Sequence, residues 1–145
     1  MQPKHFLLLS FLRENSREKL TTISRKTRIP ISTLFDLLKE LQESIIIKNT
    51  TLINFERLGY HTRAQIFLRV GQNNKEKLKQ HLILNENVNN LFKINNGWDF
   101  LVETVHQIIQ DLDKFLDKLN NNYALEDKQL NYLINDIKRE GFLIK

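Results

Sequence analysis

Arg28-Ile29-Pro30-Ile31-Ser32-Thr33-Leu34-Phe35-Asp36-Leu37-Leu38-Lys39-Glu40-Leu41 is the stretch that decides the fold. Pro30 stops whatever helix precedes it and is tolerated in the first turn of the next. Beyond it, Leu34, Leu37, Leu38 and Leu41 recur at i, i+3, i+4 and i+7, an apolar stripe that predicts a helix over about 31–44. The stripe turns Ser32, Thr33, Asp36, Lys39 and Glu43 away from the core. Upstream, a short helix fits 21–27, with Thr21 or Thr22 as its cap and Leu20 and Ile23 facing inward. A first helix fits 4–14, ended by Asn15 and Ser16, with Phe6, Leu8 or Leu9, and Leu12 at helical spacing. Helix, tight turn, helix with a polar outer face is the geometry that places side chains in a major groove. Downstream, Ile45-Ile46-Ile47-Lys48 and Thr51-Leu52-Ile53 flank Asn49-Thr50 and predict a small hairpin, or wing. Such modules also mediate protein contacts, and Asp36 opposes phosphate, although it could accept a bond from a cytosine amino group.

The charge is uneven. Residues 1–63 carry 11 basic and 6 acidic side chains, and residues 64–145 carry 11 of each, so the net +5 of the chain sits wholly in the N-terminal part. Arg13, Arg17, Lys19, Arg25, Lys26 and Arg28 cluster there against Glu14 and Glu18. This pattern suggests a polyanion-binding module followed by a neutral one, although an excess of this size also suits plain solubility.

The second module, over 64–145, begins with Ala64-Gln65-Ile66-Phe67-Leu68-Arg69-Val70, which alternates as a strand does. A helix over Asn74 to Ile83, a strand over Val88 to Ile94 and a strand over Trp98 to Val105 follow. Asn95-Asn96-Gly97 between those strands is a hairpin signal, because Asn-Gly accepts positive φ. A helix over Ile108 to Leu119 has Ile108, Ile109, Leu112, Phe115, Leu116 and Leu119 on one side and is ended by Asn120-Asn121-Asn122. A last strand fits Gln129 to Ile134. The two halves repeat at about 35 residues, judged by Gln65 and Phe100. Strand-helix-strand twice over is the ferredoxin-like pattern, an antiparallel sheet with both helices on one face. The other face carries Phe67, Leu101, Val105 and Leu133. Each is worth roughly 1.5–3 kcal/mol if buried, which predicts a two-fold dimer through that face. Scattered surface hydrophobes are the bland alternative.

Several classes drop out. The 145 residues hold no cysteine, which excludes disulfide scaffolds and thiolate chemistry. No apolar run reaches membrane length. Phe6 to Leu12 could pass for a signal core, but Arg13 to Lys19 follows instead of a cleavage site, so a buried first helix is expected. His5, His61, His81 and His106 lack metal-ligand spacing, and no nucleophile motif or phosphate loop is present. No metal or cofactor is expected, and no enzyme.

With those elements in place, the chain resembles the Lrp/AsnC, or feast/famine, family of regulators over about residues 5–140. Ile47-Lys48 and then Ile53-Asn54-Phe55-Glu56-Arg57-Leu58-Gly59-Tyr60 resemble the family's link from wing to effector domain, Leu58-Gly59-Tyr60 being the most specific part. Ile29 to Leu34 with Leu38 to Leu41 resembles its turn and recognition helix, and Trp98-Asp99-Phe100-Leu101 the opening of its third strand. The resemblance implies an α+β chain: a winged helix-turn-helix over 1–54, a linker over 55–63 and a ferredoxin-like dimerisation and effector domain over 64–145. It implies a cytoplasmic, nucleoid-associated prokaryotic transcription regulator that binds double-stranded DNA as a dimer, tetramer or octamer and responds to an amino-acid effector. It assigns Arg25, Lys26, Arg28, Ser32, Thr33, Asp36, Lys39 and Lys48 to DNA, and Asn96, Gly97, Trp98 and Asp99 to the effector. A ligand-independent DNA-compacting protein is the alternative. The related haem-pathway decarboxylase subunits are disfavoured, because their histidine motif is missing. Three departures stand out, the first being that the family's effector-loop glycine three residues before the aspartate falls on Asn96, with Gly97 one place late. Asp36 and Leu37 replace basic residues in the recognition helix, and Arg28 stands where the turn has glycine. A positive-φ arginine costs about 1 kcal/mol, which points to an altered turn.

Overall fold

The computed structural model describes residues 1–144. The chain forms two compact units, Met1–Leu52 with the tail from Ile137 onward, and Ile53–Asp136. The tail, expected with the second module, thus groups with the first.

In the first unit, α1 spans Pro3–Glu14, α2 Leu20–Thr27 and α3 Ile31–Ser44. Leu8, Leu9, Ile23, Ile29, Leu34 and Leu41 form the core, with Leu20, Leu37 and Leu38 packed beside it. The stripe quoted above therefore faces inward as expected. Proline at the first position of α1 gives up no intrahelical bond. His5, buried in the first turn, ties this helix to the third. Its Nδ1 accepts the Gln2 N–H (3.1 Å), so Nε2 carries the proton and donates to Glu40 Oε2 (3.0 Å). Arg13 anchors the tail, donating to the carbonyls of Glu140 (2.8 Å) and Phe142 (3.2 Å). Neither Thr21 nor Thr22 caps α2; its N-cap is Lys19.

The wing does not form. Residues 46–54 contain no strand, and Ile47 is 100% exposed. Asn49-Thr50 offers no glycine for the positive-φ positions of a two-residue turn, and the β-prone runs find no ladder in their own chain.

The second unit opens with a short 3₁₀ turn over Glu56–Leu58, closed by Gly59 at φ 85, a left-handed position that suits glycine. Then come β1 (Thr62–Val70), α4 (Gln72–Leu84), β2 (Val88–Lys93), β3 (Phe100–His106), α5 (Ile109–Tyr123) and β4 (Leu125–Tyr132). The strands lie in the order β2-β3-β1-β4 and every neighbouring pair is antiparallel. This is the ferredoxin-like arrangement expected. Ala64, Ile66, Leu68 and Val70 of β1 join Phe100 and Val102 of β3 beneath Leu78, Leu82, Leu112, Phe115, Leu116 and Leu119 of the helices.

Most strand and helix ends differ from the sequence expectation by one or two residues, β3 for example running Phe100–His106 instead of starting at Trp98, and the larger differences lie at α5 and β4. Ile108 and Ile109 are exposed, because Ile108 is the N-cap of α5 and the stripe starts only at Leu112. Asn120 to Asn122 continue the helix instead of ending it. Tyr123 packs against the core and against the His81 ring (5.4 Å between centroids), and the helix stops at left-handed Ala124 (φ 50). The last strand consequently begins at Leu125; its exposed Asp127 and Lys128 pair with Arg69 and Leu68 of β1 at the sheet edge, and exposed Glu126 is the extra residue where the register shifts.

Candidate nucleic-acid interface

The turn between α2 and α3 is held by two side chains from the end of α2. Ser24 Oγ donates to the Ile29 carbonyl (2.6 Å), Thr27 Oγ1 donates to the Ile23 carbonyl (2.8 Å), and the Ile29 N–H donates to Thr27 Oγ1 (3.3 Å). Arg28 sits at φ 60, ψ 22, with its N–H on the Ser24 carbonyl (2.8 Å). The tight turn is therefore kept, and the altered turn expected from the missing glycine is not found. The cost of about 1–2 kcal/mol for a left-handed non-glycine residue is met by these bonds and by burial of Ile29.

Pro30 precedes α3 and gives it no side-chain cap, and no acid lies in its first turn. The Leu34 N–H is the first to bond back, to the Pro30 carbonyl (3.0 Å). The amides of Ile31, Ser32 and Thr33 are left pointing out of the helix end, where the dipole favours an anion. Ser32, Asp36 and Lys39 are exposed and Thr33 half-buried on the outer face, as the stripe required. Arg25, Arg28, Lys39 and Lys48 are exposed and make no ion pair among the described residues. Lys26 differs: its Nζ lies 3.9 Å from Glu18 and 5.5 Å from the centre of the Phe11 ring, so it is partly engaged by its own chain. Two residues that the periodicity did not single out are exposed on the flank of α3, Ile31 (48%) and Phe35 (60%). The stripe identifies the buried side, and flank positions between stripe and outer face carry no periodic signal.

The loop Asn96-Gly97-Trp98-Asp99 lies between β2 and β3. Asn96 (φ 66) and Gly97 (φ 87) take the two left-handed positions of a tight hairpin turn, as Asn-Gly predicts. Trp98 packs on Phe67 (5.8 Å between centroids), with the Arg69 guanidinium 5.8 Å from its ring. Asp99 is engaged within the chain. It accepts the Val70 N–H (2.9 Å) and pairs with Lys75 (2.9 Å). Burial alone would raise its pKa, but the Val70 amide and the Lys75 and Arg69 charges outweigh it and hold the carboxyl below its ordinary value.

On the open face of the sheet, cross-strand partners place Phe67 beside Leu101, and Leu101 beside Phe92, in one apolar row. The next row is polar, with Gln65 beside Glu103 and Asn131. Phe67, Leu101 and Leu133 are half-buried, and Phe92, which the sequence reading left out, is exposed. Val105 is already buried (9% exposed) in the single chain, so it offers this face little. Among the described residues no cluster of His, Cys, Asp or Glu could hold a metal ion. Among those residues, too, no helix is long and apolar enough to cross a membrane.

A helix-turn-helix unit and a ferredoxin-like unit in one chain is an arrangement shared with known transcription regulators. The Neisseria meningitidis transcriptional regulator solved as its L-Met complex superposes with a TM-score of 0.88 at 17% identity, covering 96% of this chain and 93% of that one. LrpC of Bacillus subtilis gives 0.87 at 14% (95% and 97% covered), and AsnC of Escherichia coli 0.83 at 12% (96% and 95%). In sequence, the HTH-type transcriptional regulator FL11 of Pyrococcus abyssi is 26% identical over 120 residues, 82% of this chain and 80% of that one. An uncharacterised HTH-type transcriptional regulator of Pyrococcus horikoshii is 27% identical over 117 residues, 77% and 78%. No family model matches the chain. The chain has the AsnC/Lrp fold, as the sequence resemblance implied, and its relatives are HTH-type transcriptional regulators.

Proposed function

We propose that the chain regulates transcription by binding specific DNA sequences as a dimer or larger assembly, inside a prokaryotic cell. The outer face of α3 enters the major groove, with Ser32, Thr33, Asp36 and Lys39 toward base edges. Arg25 and Arg28 grip phosphates, joined by Lys48 beyond α3 and, more weakly, by Lys26. The observation that carries this reading is the uncapped start of α3 beside unpaired Arg25 and Arg28, a combination that favours an anion at that turn. Pairing runs through the open sheet face, with Phe67, Leu101, Phe92 and Leu133 as its apolar part. Such pairs assemble further into tetramers or octamers of the chain as a larger form of the same proposal.

By likeness to the L-Met complex, an amino acid or related small molecule modulates the chain, with Asn96, Gly97, Trp98 and Asp99 as its candidate contacts. Ligand-independent DNA compaction is the second reading. It is favoured by Asp99, whose carboxylate is engaged by Val70 and Lys75 and so is not free for an incoming amine. Selection of bound genomic fragments, with and without an amino-acid mixture, followed by footprinting, separates the two. A local footprint that changes with the mixture supports regulation. Uniform coverage unaffected by it supports compaction. Specific sites should exceed random DNA by roughly 10³ or more.

A further inference from the structure

Phe35 is 60% exposed and Ile31, one turn ahead on the same flank, 48% exposed. The core beneath them is complete without them, since Leu34 and Leu41 are fully buried and the remaining stripe packs around them. A large aromatic left in water at the start of a helix is a cost that folding does not explain. Its setting is polar: Ser32, Asp36 and Lys39 lie on the neighbouring outer face, and Arg25 and Arg28 lie at the turn that feeds the helix. Lys39 is the single cation on the outer face of the first three turns, so bidentate recognition of guanine is scarcely available there. Among the four bases, thymine alone presents an apolar group in the major groove, its C5-methyl.

We infer that Phe35, with Ile31 beside it, reads thymine methyl groups in the major groove, so that sequence preference rests partly on apolar contact. The inference rests on the DNA-binding reading above. Residues at i and i+4 lie about 6 Å apart on a helix surface, and bases along one strand about 3.4 Å apart. The Ile31–Phe35 ridge therefore spans neighbouring or next-but-one thymines. The charge around it fits a duplex better than an apolar protein partner, which would leave Arg25, Arg28 and Lys39 without counter-charges.

The test uses the full chain. A preferred duplex is first selected from a random library. Each thymine is then replaced singly by deoxyuridine, which removes only the methyl. Loss of one buried methyl group predicts about fourfold weaker binding at one or two positions. Phe35→Ala should bind the thymine duplex more weakly and show no further loss at those positions, while Phe35→Leu keeps part of the discrimination. Far-UV circular dichroism and the urea midpoint of Phe35→Ala, compared with those of the unaltered chain, show that the variant is folded. Three results overturn the inference while leaving the regulator reading intact: no deoxyuridine sensitivity in the unaltered chain, equal sensitivity in Phe35→Ala, or a change in assembly size with thymine discrimination unaffected. Failure to select any preferred duplex removes both.

Discussion

Arg28 carries two opposed effects that one pair of substitutions can separate. Its backbone is left-handed (φ 60), which costs an L-residue roughly 1–2 kcal/mol. Its side chain is exposed and unpaired beside the start of α3. Arg28→Gly removes the charge and the strain; Arg28→Ala removes the charge and keeps the strain. Glycine returns roughly 0.4–1 kcal/mol of the gain through the greater entropy of the unfolded chain. Arg28→Gly should therefore be more stable than Arg28→Ala by about 0.5–1 kcal/mol. For a unit of this size that is roughly 2–8 °C in melting temperature, read by far-UV circular dichroism of the helices. Both variants should bind DNA equally weakly, each lowering the salt dependence of log K by about 0.9 for one lost phosphate contact. Equal stability of the two variants would refute the left-handed turn. Unchanged salt dependence in both would remove Arg28 from the phosphate backbone.

The remaining predictions concern the second unit, where Trp98, the single tryptophan of the chain, reports unfolding by fluorescence. His106 is 1% exposed and packs on Phe115 (5.5 Å between centroids). Burial lowers its pKa and Asp111 opposes the shift. The unfolded chain therefore takes up the proton first, and stability should fall as pH drops from about 6.5; burial and Lys118 act on His81 with the same sign. His106→Leu should flatten part of that fall, and an unchanged urea-midpoint profile from pH 7 to pH 5 (a working range around the usual histidine value) would contradict it. Asp99→Asn should cost about 0.5–1.5 kcal/mol near neutrality, because the amide oxygen still accepts from Val70 and only the charge-assisted part and the Lys75 pairing are lost. Because the pKa of Asp99 is depressed, its contribution is present above the unfolded value and is lost as pH falls through the folded one, so the two proteins should converge in strong acid. Phe67→Glu or Leu101→Glu should turn the proposed dimer into monomers in sedimentation at micromolar concentration; a monomer before any substitution would remove the pairing surface.

The helices of the first unit were legible because their signals are local. Pro30 and the leucine stripe define α3 to the residue, and Asn96-Gly97 defines its turn through residue type alone. The failures were tertiary. The wing was read from β-propensity, but a strand needs a partner, and Ile45 to Ile53 have none in their own chain. The end of α5 was read from three asparagines, but packing of Tyr123 on His81 and the core draws the helix one turn further. Alternation placed Phe67 and Leu101 on the correct side of the sheet. It could not reveal that Val105 is covered already, or that Phe92 completes the row. In the candidate interface, the outer face of α3 followed from the stripe, whereas Phe35 lies on the flank, where periodicity is silent.

The charges of the first unit bear on why pairing through the sheet matters to its function. Arg25, Arg28, Lys39 and Lys48 are unpaired, Lys26 is shared with Glu18, and Asp36 and Glu43 on α3 oppose a polyanion. One copy thus offers about three to five phosphate contacts by the one-cation, one-phosphate accounting. Two copies double this to about six to ten, the range in which affinity changes roughly 10³- to 10⁵-fold between 50 and 200 mM salt. A single module of such modest charge holds random DNA weakly, which keeps non-specific sites from absorbing the protein. If the proposed pairing brings two modules to one duplex, their base contacts add, so a correct pair of half-sites gains twice where a random stretch gains from charge alone. On the proposed pairing, the apolar row on the sheet contributes to DNA recognition. A substitution there that leaves the first unit folded should lower specific affinity far more than it lowers the affinity of one module for one half-site.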